Sequence, residues 1–168
     1  MKKILMFLVS CCLVLSASAQ QKDPAVSSFF KKLESSRVEL DYSFSSTGDR
    51  LPVSGSGKMT AQGNSFLIQG DGVTLYCNGK TLVTVDDSSK EVVVENNPFD
   101  MSKLSESLKA RTSAGKIVSV SVKIDDGTSV NIDIPSYHWL ESGELSDFEC
   151  DLSSFGKDYV VTDLTEGL

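Results

Sequence analysis

The sequence predicts a mainly β protein of the α+β class, built on one curved antiparallel sheet of about nine or ten strands with two helices. Apolar residues alternate with polar ones at period two over most of the chain, the signature of half-buried strands. Turn chemistry punctuates these runs every few residues, most densely between positions 66 and 95, which read FLIQG-DG-VTLYC-NG-KTLVTV-DDSS-KEVVVE. No stretch alternates strand and helix in the rhythm of a parallel sheet.

The chain has 168 residues, one domain by length. Residues 1–19 are set aside as a secretory signal peptide, leaving a single domain over 20–168. Lys2 and Lys3 begin it, positions 4–15 are nearly all apolar, and Ala17-Ser18-Ala19 offers a small-residue cleavage site after Ala19. A competing lipobox-like reading would place a lipid on Cys11 after Leu8-Val9-Ser10. Cleavage implies export and removes two of the four cysteines. Cys77 and Cys150 remain, either bridged in an oxidising compartment or present as two small buried apolar residues. Cleavage also leaves 14 basic against 23 acidic residues, near −9, where the full chain is −7. That balance opposes phosphate-backbone contact, so no nucleic-acid partner is expected.

In order, Asp23 caps a first helix and Pro24 fits its first position. Val26, Phe29, Phe30 and Leu33 form one apolar stripe. Over 37–46, Val38, Leu40, Tyr42 and Phe44 share one strand face, with Arg37, Glu39, Asp41 and Ser43 on the other. The strand over 51–60 carries Gly55 and Gly57 beside Val53 and Met59, marking a bend, a bulge or the close approach of another group.

The central meander follows. Asp71-Gly72 and Asn78-Gly79 are two-residue hairpin signals, and Asp86-Asp87-Ser88-Ser89 is a polar turn whose side chains bond their own backbone. Its inward candidates are Phe66, Ile68, Val73, Leu75, Val83, Val85, Val92 and Val94. Asn97-Pro98 opens a second helix through Met101, Leu104 and Leu108. Strands over 116–124 (Val118, Val120, Val122, Ile124) and 128–134 (Val130, Ile132, Ile134) flank an Asp125-Asp126-Gly127 turn, and Pro135 ends the second. Tyr137-His138-Trp139-Leu140 is an aromatic patch, and 158–164 is a last strand.

Catalytic chemistry has nothing to stand on. His138 is the one histidine, with no nucleophile elbow beside it, since Gly55-Ser56-Gly57 lacks the spacing. Two separated cysteines and one histidine make no zinc set, and the aspartate pairs sit at hairpin tips, where turn chemistry alone accounts for them. No enzyme activity, catalytic residue, metal or cofactor is expected. What stands out is apolar sheet face: a wide sheet curls, and its inner side is either a packed core or a hollow that holds a ligand.

The order of motifs resembles the periplasmic outer-membrane lipoprotein carrier family, LolA. The resemblance runs through Tyr42-Ser43-Phe44, the Gly-rich strand over 54–59, Gly63-Asn64 with Phe66, Asn78-Gly79-Lys80-Thr81-Leu82, Glu91-Val92-Val93-Val94, Leu145-Ser146-Asp147-Phe148 and the segment over 159–164. Asn78 through Leu82 is its most specific part. Gln62 and Gly63 stand where the family commonly has Arg-Pro, and Val83 where it has an aromatic, so no gating arginine transfers to this chain.

The resemblance implies an unclosed barrel with helices over its mouth, a monomer that shields lipoprotein acyl chains. Its implied partners are an inner-membrane ABC transporter complex and an outer-membrane receptor. Leu40, Tyr42, Phe44, Phe66, Ile68, Val73, Leu75, Val92, Val94, Val120 and Ile132 are expected to line the hollow, with Phe29, Phe30 and Leu33 as lid. The alternative is a non-catalytic periplasmic sensor or protein-interaction module on the same half-barrel.

Overall fold

The computed structural model describes residues 24–47, 53–100, 108–123 and 129–165. The expected signal peptide, the Asp23 cap, Met101 and Leu104 of the second helix, and the Asp125-Asp126-Gly127 turn lie outside the described residues. Within them, one helix, α1 (Pro24–Leu33), precedes β1 (Arg37–Thr47), β2 (Ser54–Gln62), β3 (Ser65–Gly70), β4 (Val73–Cys77), β5 (Thr81–Asp86) and β6 (Glu91–Asn96). Then come β7 (Lys109–Ser113), β8 (Lys116–Lys123), β9 (Ser129–Leu140) and, after two short 3₁₀ turns at Leu145–Phe148 and Leu152–Ser154, β10 (Val160–Asp163). The ten strands form one curved, unclosed sheet in the order β10-β6-β5-β4-β3-β2-β1-β9-β8-β7. No helix among the described residues is long and apolar enough to cross a membrane.

Turn chemistry sets the meander. Asp71 and Gly72 both adopt positive φ (52° and 78°), as the tight β3–β4 hairpin requires. Asn78-Gly79 differs from the expected pattern. Only Gly79 has positive φ, while Asn78 Oδ1 accepts from the Lys80 and Thr81 amides, so the Asn side chain organises the four residues between the paired Cys77 and Leu82. At the next turn the Asp86 carboxylate accepts from the Ser88 amide at 2.8 Å and the Ser89 amide at 3.1 Å.

Three further departures have local causes. β7, Lys-Ala-Arg-Thr-Ser, carries no large apolar residue, and its hairpin to β8 turns on Ala114-Gly115, an uncommon pair for two positive-φ positions. β9 runs through Pro135 to Leu140, because the register with β1 shifts between Asp41–Ser136 and Ser43–Asp133. Two β9 residues there face one on β1, a bulge that absorbs a residue lacking an N–H. β10 pairs with β6 in parallel, so the sheet is not wholly antiparallel. The chain reaches it by crossing the sheet, with the Val160 amide bonded to the Lys90 carbonyl and the Leu164 amide to the Val94 carbonyl, each at 2.8 Å.

The register sorts the core onto two faces. Trp139, Val38, Ala61, Phe66, Cys77 and Leu82 form one cross-strand row, and α1 covers that face through Leu33. Val83, Val85, Val92 and Val94 form a separate cluster on the opposite face, packed by Tyr76, Cys150, Phe155 and Tyr159 of β4 and the C-terminal segment. Every residue from Leu82 to Asp86 is buried, so β5 is covered on both sides. This corrects the assignment of Val83, Val85, Val92 and Val94 to the side of Leu75. In an antiparallel hairpin with an even-numbered loop, odd positions on one strand face even positions on the other, and Leu75 lies opposite Thr84.

The glycines of β2 meet the rings across from them. Tyr42 pairs with Gly57 and Phe44 with Gly55, and the two rings stack with centroids 6.4 Å apart. A Cβ at Gly55 would meet the Phe44 ring and the Asp71 carboxylate, both of which can swing away. At Gly57 it would run into the Gln69 carbonyl oxygen, which cannot. Relief of unfolded-chain entropy favours Ala over Gly by roughly 0.5–1 kcal/mol, but overpacking against backbone costs about 1–3 kcal/mol. Gly57→Ala is therefore expected to lower the urea midpoint, and Gly55→Ala to lower it less; a Gly57→Ala protein as stable as the parent would refute this packing.

Asp86 carries a pH prediction. The Ser88 hydroxyl, then the Ser89 and Ser88 amides, hold its carboxyl below the usual carboxylate range against the opposing effect of burial. Its contribution is thus complete above the unfolded-state value of about 3.9 and is lost as pH falls through the lower folded value. Asp86→Ala is expected to cost about 1–3 kcal/mol at neutral pH. The gap between parent and variant should narrow on acidification; a gap that stays constant to pH ~2 would contradict it.

Candidate functional site

The helix-side face of the sheet is built in successive rows, and its cover thins from one row to the next. In the first, Val38, Ala61, Phe66, Cys77 and Leu82 are all buried, with Cys77 and Leu82 at 0% exposure. The second comprises Tyr137, Leu40, Met59, Ile68, Leu75 and Thr84. Leu75 and Thr84 are buried there, while Leu40, Met59, Ile68 and Tyr137 are half-buried. Beyond it stand Tyr42, Val73 and then Phe44, Ile132 and Val120, all half-buried.

Nine of the eleven expected lining residues therefore share one face: Leu40, Tyr42, Phe44, Phe66, Ile68, Val73, Leu75, Val120 and Ile132. Phe66 and Leu75 belong to its packed floor. Val92 and Val94 stand on the other side of the sheet and are separated from this group.

The helix is held by contacts with the aromatic patch at Tyr137 and Trp139, for which the sequence suggests no role. Phe29 lies 5.6 Å from Tyr137 and 5.0 Å from Trp139 between ring centroids, and 5.8 Å from Phe30. The Lys32 ammonium sits 4.7 Å from the Trp139 ring centre. Leu33 is buried, whereas Phe29 and Phe30 stay half-buried. The Leu33 carbonyl accepts from the Gly63 amide at 2.9 Å, which ties the helix end to the β2–β3 turn. Period-two alternation across Tyr137 and Trp139 was the available signal, and Pro135 obscured it. At the far side Phe99 packs on Phe66 at 5.8 Å, and Asn97 Oδ1 accepts from the Phe99 amide, a local side-chain turn.

The opposite face is closed by the C-terminal segment. Arg37 donates to Asp147 Oδ2 at 2.7 Å and to the Glu144 carbonyl at 2.9 Å, with its guanidinium over the buried Phe148 ring. Gln62 Oε1 accepts from the Gly143 amide at 2.9 Å, and Gln62 Nε2 donates to the Gly143 carbonyl at 3.3 Å. Gln62 is thus a fastener of the C-terminal segment on the side away from the helix. A Cβ at Gly143 would sit 2.5 Å from an Arg37 guanidinium nitrogen.

Cys77 and Cys150 are both free and lie in the two separate clusters, one on each side of the sheet. Burial pushes both thiols up, with Asp151 adding to the effect at Cys150. Burial, then Asp71, raises the Tyr42 hydroxyl. His138 is exposed and 3.0 Å from its cross-strand neighbour Glu39. No cluster of three or more His, Cys, Asp or Glu able to hold a metal occurs among the described residues.

No protein-family model matches the chain, and no curated protein matches it. Its fold is similar to the crystal structure of an uncharacterized conserved protein from Thermus thermophilus. The TM-score is 0.52 at 8% identity, covering 85% of this chain and 99% of the other.

The aromatic seat of the helix predicts coupling. Phe29→Ala and Trp139→Ala each remove the same ring contact. A double-mutant cycle should return about 0.5–1.5 kcal/mol of interaction by chemical denaturation, and additive costs would place the helix elsewhere.

Proposed function

We propose that this chain is a periplasmic carrier of the LolA type, which shields acyl chains of lipoproteins against the helix-side face and moves them between inner and outer membranes. The observation that carries the proposal is the row of half-buried apolar side chains on one face of an unclosed sheet: Leu40, Tyr42, Phe44, Ile68, Val73, Val120 and Ile132. An ordinary core would bury these as fully as it buries Phe66 and Leu75.

The physical demand is simple. Burial is worth roughly 0.8 kcal/mol per methylene, so an acyl chain leaving a bilayer needs on the order of 10 kcal/mol of apolar shelter. The half-buried row offers that surface without a covalent step. The helix is anchored by the buried Val26 and Leu33, while the half-buried Phe29 and Phe30 are free to turn between Tyr137 and the acyl chain as cargo enters. Cargo would arrive from an inner-membrane ABC transporter complex and leave to an outer-membrane receptor. No catalytic residue and no cofactor take part.

Native mass spectrometry of the purified protein and titration with a fluorescent fatty acid test this. The parent protein should carry acyl species and bind the probe. Ile132→Glu and Leu40→Glu should each weaken binding by about tenfold or more while the thermal midpoint shows a folded protein. Val160→Glu, at the exposed outer edge on β10, should leave probe binding unchanged. A parent protein that neither carries acyl chains nor binds the probe would overturn the carrier reading. It would leave a sensor or protein-interaction module.

A further inference from the structure

The β7–β8–β9 end of the sheet carries a second feature on the side facing away from the apolar row. An open depression of about 380 Å³ is lined by Lys109, Arg111, Ser119, Ser121, Asn131 and Asp133, with Ala110 and Val120 between them on β7 and β8. Its polar residues fall in two neighbouring cross-strand rows. Lys109 pairs with Ser121 and Ser121 with Asn131; Arg111 pairs with Ser119 and Ser119 with Asp133. A β-bulge directly after Arg111 shifts the β7–β8 register at the border of the depression. Two cations against one carboxylate give it a local charge of +1 in a chain whose net charge is −7.

The first row contains donors and no acid. In the second, Arg111 Nε donates to Ser119 Oγ at 3.1 Å, and an Arg111 terminal nitrogen stands 3.7 Å from Asp133 Oδ1, both side chains well exposed. A pair of that length in solvent is weak, worth under about 1 kcal/mol, so the guanidinium fork remains available to a stronger acceptor. The adjoining β1 positions on this side, Ser43 and Ser45, bring no charge, and the next acid along β1, Asp41, accepts from Ser136 Oγ at 2.7 Å.

We propose that this depression binds a phosphate ester. A planar guanidinium and an ammonium two residues apart on one strand, faced by two hydroxyls and a carboxamide, match a compact tetrahedral anion. Three strands span about 10 Å, room for one phosphate group and a short polar stem, not for an extended polymer. Asp133 is the competing anion already in place, and a ligand phosphate displaces it from Arg111. The ester comes either from a phospholipid headgroup or from a soluble phosphate metabolite. The site stands on its own residues and does not depend on acyl-chain carriage.

Titration of the full-length mature chain with inorganic phosphate and with glycerol 3-phosphate, followed by amide chemical shifts, tests the site. Shifts should concentrate on β7, β8 and the Asn131–Asp133 part of β9. Lys109→Ala and Arg111→Ala should each weaken binding by about tenfold. Asp133→Asn should strengthen it several-fold, an effect that simple structural damage does not produce. Co-sedimentation with phosphatidylglycerol vesicles that is competed by glycerol 3-phosphate and lost in Lys109→Ala assigns the ester to lipid; glycerol 3-phosphate binding without sedimentation assigns it to a soluble ester. Absence of shifts, or shifts unchanged in all three variants, overturns the proposal.

Discussion

One buried cross-strand row holds this protein in register. Val38, Ala61, Phe66, Cys77 and Leu82 come from five consecutive strands and meet side by side beneath Leu33. A slip of one residue in β1 or β2 would turn Val38 or Ala61 to the other face and bring a polar neighbour inward. The row therefore fixes where every other residue of β1 to β5 points, including the half-buried residues farther along the same face. It also fixes the seat of the helix, since Trp139 continues the row onto β9 and carries the Phe29 contact.

The sheet needs two covers, and different parts of the chain supply them. On one face α1 and Phe99 close the buried row and leave the Leu40, Tyr42 and Phe44 side incompletely covered. On the other, the C-terminal segment lays Phe148, Cys150, Phe155 and Tyr159 across the sheet. There Tyr159 donates to Asp87 at 2.6 Å and Lys90 donates to Tyr159 at 3.1 Å. β5 between them is buried from Leu82 to Asp86, as a strand with two apolar covers must be. The apolar excess that suggests a large hollow is thus divided, part of it filling an ordinary core on the far side. The half-buried remainder is narrower and lies toward β1, β8 and β9.

The Gly-rich strand belongs to the same economy of space. Tyr42 and Phe44 lie against Gly57 and Gly55, so these rings rest on the sheet where two side chains would otherwise stand. This keeps the face low and apolar beside the row Ile132 and Val120.

By itself the sequence determined the local structure. Period-two alternation marked β1, β8 and the meander, Asp71-Gly72 marked a tight hairpin, Pro24 marked the helix start, and the stripe from Val26 to Leu33 marked the buried side of α1. These are readable because strand pleat, helix pitch and positive φ act within a few residues. Nine of the eleven residues expected on one face are there for the same reason. The tertiary structure decided what depends on distant partners: that Val92 and Val94 serve a second core, that Gln62 fastens the C-terminal segment, that β9 continues through Pro135 at a bulge, and that Tyr137 and Trp139 seat the helix. Alternation says only that two faces differ. Which cover lies on which face is set by packing between segments as far apart as Arg37 and Asp147, and no local pattern carries that information.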